Sequence, residues 1–246
     1  MVAAIIQARM GSTRLPGKSS HLLAGVPILE HIINQLKQVP EIDQIQLATT
    51  QAKTEAPLIK IAKNLNIAVF QGSNENVLER FVHAGKAIGA EHLVRICGDN
   101  PFIDIPFVRK LVTKHIESNA DYTIPADPVP LGMGCEVICL ATLKQIEQQA
   151  HELKYQEHVT TWFHDHYDKF TITHVNSPPY LKNCPFRLTV DTPEDFALMK
   201  EIFSQLQSIS PSNFNIENII KFLNTHPKVS KINSNIEQKD WRRKNQ

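Results

Sequence analysis

The 246-residue sequence predicts an α/β protein built on a mostly parallel, doubly wound sheet. Two observations carry that expectation. Four short apolar runs, "VAAIIQA" at 2–8, "QIQLATT" at 44–50, "IAVFQG" at 67–72 and "HLVRICGD" at 92–99, read as strands buried on both faces. The segments between them carry helical periodicity instead. In "PILEHIINQLKQV", Ile28, Leu29, Ile32, Ile33 and Leu36 fall on one stripe, behind Pro27 at a first-turn position. "EAPLIKIAKNL" and "ENVLERFVHAGKAIG" behave in the same way. Strands and helices in alternation, joined by short connections, imply right-handed βαβ units. A hydrophobic content of 42% supplies the core.

The pattern changes after "GDNPFID". A helix from about 105 to 118 leads into a Pro-rich stretch, "YTIPADPVPLGMG", and then a strand-like "CEVICL". Two helical candidates, "ATLKQIEQQAHE" and "YQEHVTTWFHDHY", precede the strand "KFTITHV". Residues 122–184 therefore read as an inserted region that covers the sheet as a lid or makes a dimer contact. The sheet is expected to resume with "PFRLTVDTPEDF", where Pro193 opens a helix capped by Thr192 or Asp191. This gives one domain over 1–230 and a polar tail over 231–246, frayed or held by a partner.

Charge and composition narrow the function. Lys and Arg number 26 against 25 Asp and Glu, a formal charge of +1, so no global field draws the protein to nucleic acid or an anionic membrane. Any anion site must be local. No apolar run approaches the ~20 residues of a membrane span. Cys97, Cys135, Cys139 and Cys184 form no CxxC pair, and no signal peptide precedes the first strand, so reduced thiols in a cytoplasm are expected and cysteine-bound metal is not.

In open α/β sheets ligands bind beyond the carboxyl ends of the strands, and "QARMGSTRLPGK" stands directly after the first. Backbone N–H groups of a Gly-containing loop, with Arg9, Arg14 and Lys18 around them, suit a triphosphate. An ordinary basic surface loop would carry the same charges. The spacing is neither GxxxxGK[ST] nor GxGxxG, which disfavours P-loop hydrolysis and dinucleotide binding. Asp99 in "CGDNPFID" ends the fourth strand, where a magnesium ion bridging phosphates needs a hard oxygen ligand; a local turn also favours Asp there. Asp191 would complete a carboxylate pair, although D-T-P-E-D taken alone reads more strongly as a helix start. Asp104 reads as an N-cap for the helix that follows it. His158, His164 and His166 lack the i, i+4 face of a zinc helix, and Trp162 and Phe163 read as core or interface residues rather than base-stacking platforms.

The joint pattern resembles the cytidylyltransferase family that includes SpsF and, more distantly, the CMP-KDO and CMP-sialate synthetases. The matching stretches are "IIQARMGSTRLPGK", "GSNENVLERF", "RICGDNPFID", "GMGCEV", "QEHVT" and "FRLTVDTPEDF", spread over residues 2–196. The resemblance implies a glycosyltransferase-A-like, Rossmann-like nucleotidyltransferase fold and a Mg2+-dependent transfer of CMP from CTP, with release of pyrophosphate. It places Gln7, Ala8, Arg9, Gly11, Ser12, Arg14, Lys18 and Arg80 at the CTP, makes Arg9, Lys18, Asp99 and Asp191 catalytic, and gives the metal to Asp99 and Asp191. Glu136 and the Glu157–His158 pair match the SpsF-like pattern without an assigned role, and Asn100 departs from the more usual residue between that Asp and Pro, which bears on acceptor choice. A sugar acid for a surface polysaccharide is the first-choice acceptor, with a sugar phosphate, alditol phosphate or phosphonate open, and a homodimer through 122–184 is expected. A nucleotide-sugar-dependent glycosyltransferase and a non-catalytic nucleotide-binding protein are the alternatives, the first disfavoured because "GDNPFID" holds no D-x-D triplet.

Overall fold

The computed structural model describes residues 1–207 and 215–237. The first half follows the apolar periodicity closely. Strands β1 (Val2–Gln7), β4 (Gln44–Thr50), β5 (Ala68–Gly72) and β6 (His92–Cys97) are parallel, and a short hairpin of β2 (Leu22–Leu23) and β3 (Val26–Pro27) follows the basic loop. Helices α1 (Ile28–Leu36), α2 (Ala56–Asn64), α3 (Val77–Ala87) and α4 (Ile105–Glu117) make the crossovers. The α1 stripe is fully buried, as its spacing requires.

The second half holds β7 (Tyr122–Pro125), β8 (Glu136–Cys139), α5 (Leu140–Gln149), α6 (Leu153–Glu157), α7 (Thr161–Asp165), β9 (Ile172–Val175), α8 (Pro193–Gln207), α9 (Ile216–Thr225) and α10 (Pro227–Ser230). All three of its strands join the main sheet, whose order is β5-β4-β1-β6-β8-β7-β9. Strand β8 runs antiparallel between β6 and β7. Residues 122–184 are thus not an excursion from the sheet but three of its seven strands, with α6 and α7 packed on one face. Helices α1, α2, α4, α8 and α9 bury one face around Val94 and Ile96; α3, α5, α6 and α7 bury the other around Leu93, Tyr122 and Ile138.

Three local readings change. "YTIP" is a strand despite Pro125, because within it only Tyr122 and Thr123 pair with β8, which leaves the proline opposite β9 alone. "YQEHVTTWFHDHY" breaks into α6 and α7, since His158 is extended and the β-branched run Val159–Thr161 crowds a helix. "PFRLTVD" does not resume the sheet: Arg187, Leu188, Thr189 and Val190 are buried, and among the described residues the stretch makes one isolated bridge, Leu131 to Arg187. At the far end, Asn233 is buried, its side chain donating to the Arg187 carbonyl at 3.0 Å, so the polar segment past 230 is docked there. Residues 238–246 of that segment lie outside the described residues.

Candidate active site

The basic loop is folded on its own backbone. The N–H groups of Ser12 and Gly17 both donate to the Met10 carbonyl, at 3.0 and 2.9 Å, and Gly17 supplies the left-handed φ of +67° that starts the turn carrying Lys18. Glu55 anchors the loop from below. Only 2% exposed, it accepts from the Met10 N–H at 3.0 Å and from the Thr49 and Thr50 hydroxyls at 2.9 and 3.0 Å. Sequence reasoning passed over Glu55, which has no motif of its own; its one signal is a carboxylate just past an apolar strand.

Asp99 reaches the loop because Gly98 lets two strand ends touch. The Gly98 N–H donates to the Gln7 carbonyl at 2.8 Å, and a Cβ at Gly98 would sit 2.6 Å from that of Ala8. Beyond Asp99, Gln35 of α1 clamps the turn, donating to the Pro101 carbonyl at 2.8 Å and accepting from the Ile103 N–H at 2.9 Å. Asp104 caps α4 by accepting from Phe107 N–H at 3.0 Å, as read, and also accepts from the Tyr180 hydroxyl at 2.7 Å.

Asp191 is placed by a capping box. The Thr192 hydroxyl accepts from the Asp195 N–H at 3.2 Å, while Asp195 Oδ2 accepts from Thr192 N–H at 3.1 Å and Asp191 N–H at 3.0 Å. Arg187 fixes the same corner, donating to both Asp195 oxygens at 2.8 and 3.0 Å and to Asp191 at 2.9 Å. Finally the Val190 N–H donates to the Asp99 carbonyl at 2.8 Å and lays the two aspartates side by side. Arg187 and Asp195 were not singled out from the sequence, although Arg187, Asp191 and Asp195 stand four apart in line.

Lys18 lies between the two carboxylates, with its ammonium 2.5 Å from Asp99 and 2.6 Å from Asp191. Arg14 reaches Asp191 at 3.3 Å. Burial alone would lower the Lys18 pKa, but Asp99 and Asp191 outweigh it and hold the lysine above its ordinary value. Burial would likewise raise Asp191, and Lys18, Arg14 and Arg187 together keep it below the usual carboxylate range. The three groups line a cleft of about 260 Å³ with Gln7, Ala8, Arg9, Gly11, Ser12 and Arg14. Every residue expected at the nucleotide is in that cleft except Arg80. Its guanidinium is buried on α3 and bonded to the Ser73 carbonyl; burial and the nearby Arg9 lower its pKa. Of the remaining candidates, Glu136 is bonded to Arg95 and Tyr122, Glu157 is exposed, Phe163 stacks on Tyr122 in the core and Trp162 stacks on His166.

Two carboxylates aimed at one cationic point are a hard-oxygen donor set that fits Mg2+, an ion commonly held by one or two carboxylates and completed by phosphate and water. Among the described residues no third His, Cys, Asp or Glu joins them. A larger cavity, about 690 Å³, is walled by α1, residues 102–106, Tyr180 and α9 and shares no residue with the basic loop.

A mostly parallel sheet with a basic loop after its first strand and two aspartates at its carboxyl edge defines a nucleotidyltransferase of Rossmann-like fold. The chain belongs to the cytidylyltransferase family, whose pattern it matches over residues 3–229. It is 36% identical over 241 residues to an uncharacterised protein of Methanocaldococcus jannaschii, covering 98% of each chain. To the spore coat polysaccharide biosynthesis protein SpsF of Bacillus subtilis it is 34% identical over 206 residues, 82% of this chain and 85% of that one. In structure it superposes on a cytidylyltransferase from Leptospira borgpetersenii with a TM-score of 0.86 at 25% identity, covering 97% of this chain and 99% of the other. Among the described residues no helix is long and apolar enough to cross a membrane.

Proposed function

We propose that this protein couples CMP from CTP to a sugar acid destined for a surface polysaccharide, releasing pyrophosphate. The observation that carries the reading is Lys18 gripped by Asp99 and Asp191 in the same cleft as Arg9 and Arg14. The acceptor hydroxyl oxygen attacks the α-phosphorus in line; the bond to the β-phosphate oxygen breaks, pyrophosphate leaves with the electron pair, and the hydroxyl proton is released. Loop N–H groups and the Arg9 and Arg14 guanidiniums hold the triphosphate, and Lys18 offsets the charge that builds on the leaving pyrophosphate. Asp99 and Asp191 would hold Mg2+, which would supply neutralisation of phosphate charge when bound. Positioning and electrostatics provide the rate, with no covalent intermediate. A reaction that draws on CTP fits a cytoplasmic protein whose four cysteines are free thiols. Dimerisation through 122–184 belongs to the same reading, and a monomer by static light scattering would remove it.

The test is thermal unfolding with CTP, UTP, ATP or GTP, with and without Mg2+, alongside pyrophosphate release. A nucleotide at a hundred times its dissociation constant stabilises by roughly 2.7 kcal/mol. CTP with Mg2+ is expected to give the largest shift in the wild type and a smaller one in Asp99→Asn. Equal shifts for all four nucleotides would overturn CTP as the donor.

A further inference from the structure

Strand β6 carries a second charged group on the face that leads to Asp99. Its register sets Arg95 opposite Glu136 of β8, while β1 sets Gln7 beside Cys97. Arg95 Nη1 donates to Glu136 Oε2 at 2.7 Å; the other Glu136 oxygen accepts from the Tyr122 hydroxyl and, at 3.4 Å, from Thr160. A cross-strand ion pair accounts for one N–H of this guanidinium. It does not account for Arg95 Nε, buried with no acceptor among the described residues, or for Gln7 Oε1, buried with no donor among them at the wall of the triphosphate cleft. A guanidinium offers five donors in a planar fork and cannot shed its charge.

We infer that Arg95, braced by Glu136, anchors the acidic group of the acceptor, and that Gln7 receives one of its hydroxyls. This rests on the CMP-transfer reading and adds to it the subsite that chooses the acceptor. Arg95 lies on β6 two residues before its end at Cys97, and Asp99 stands in the turn that follows, so an acid seated on the arginine extends its far end toward the carboxylate pair. The planar fork suits either a carboxylate or a phosphate.

The experiment is calorimetric titration of the CTP- and Mg2+-loaded full chain with 3-deoxy-manno-octulosonate, glucose 1-phosphate and glucose as carboxylate, phosphate and neutral probes. At least one acid is expected to bind the wild type and glucose to bind far more weakly; which acid binds identifies the group. Arg95→Met should weaken that acid at least tenfold and leave CTP affinity within twofold. Arg95→Lys, which keeps the charge against Glu136, is the safer variant for folding and should still lose threefold or more by losing the fork. Acid binding unchanged in both variants, glucose binding as tightly as the acids, or no acid binding to the loaded wild type would each overturn the inference. A wild type that binds no CTP would overturn the CMP-transfer reading itself.

Discussion

Two clusters of like composition sit within a few residues of each other and serve different ends. In one, Lys18 faces Asp99 and Asp191; in the other, Arg187 faces Asp195. The second is complete. Asp195 is fully buried and accepts from Arg187, Asn233 and two backbone N–H groups. The first is open to the cleft, with Asp99 and Asp191 about one-fifth exposed and their shared partner a flexible ammonium. A saturated buried pair fixes geometry, whereas a half-solvated one exchanges partners cheaply. Asp191, touched by Lys18, Arg14 and Arg187, joins the two.

Substitutions can break that contrast, most forcefully at its rigid end. Asp195→Ala leaves Arg187 buried without its main partner and should cost about 3–5 kcal/mol of stability by urea unfolding; a loss under about 1 kcal/mol would erase the distinction. Lys18→Ala should reverse the balance. We expect about 2–4 kcal/mol lost from kcat/KM for CTP, roughly 30- to 1000-fold, with at most about 1 kcal/mol lost from unfolding. Equal effects on both would make Lys18 structural. Asn233→Ala removes two hydrogen bonds from the closed cluster and should cost about 1–3 kcal/mol, readable as a lower urea midpoint with an unchanged slope.

The mildest test is acid. Burial would raise Asp195, but Arg187 and Asn233 outweigh it and hold its pKa below the unfolded value of 3.8. Above that pH the contribution is fully present; as pH falls below 3.8 the unfolded chain takes the proton first and stability drops. The urea midpoint of Asp195→Asn should therefore fall less steeply between pH 4 and pH 2 than that of the wild type. Parallel curves would show that other carboxylates set the acid limb.

Much of this arrangement is legible in the sequence. Strands buried on both faces leave continuous apolar runs, so β1, β4, β5 and β6 could be read, and the basic loop followed from its place after β1. The second half hid its strands in two ways. Pro125 signals a turn unless the neighbour of each residue is known, and the antiparallel seat of β8 is a matter of pairing between residues as far apart as His92 and Cys139 rather than of local pattern. The site divides along the same line. Asp99 and Asp191 could be named from their motifs, but the Val190–Asp99 bond that joins them spans 91 positions. Asp195 looks like ordinary capping at a helix start, and nothing local marks Arg187 or Asn233 until their shared partner Asp195 is seen.

That single bond has a bearing on how the protein is made. A chain halted before residue 190 already possesses all seven strands of the sheet and the basic loop, yet only one of the two carboxylates. The pair closes only when the segment that carries Val190 and Asp191 is laid against Asp99. Such a chain also lacks the buried side chains of α8 and α9 that cover one face of the sheet, so the carboxylate pair belongs to the finished fold.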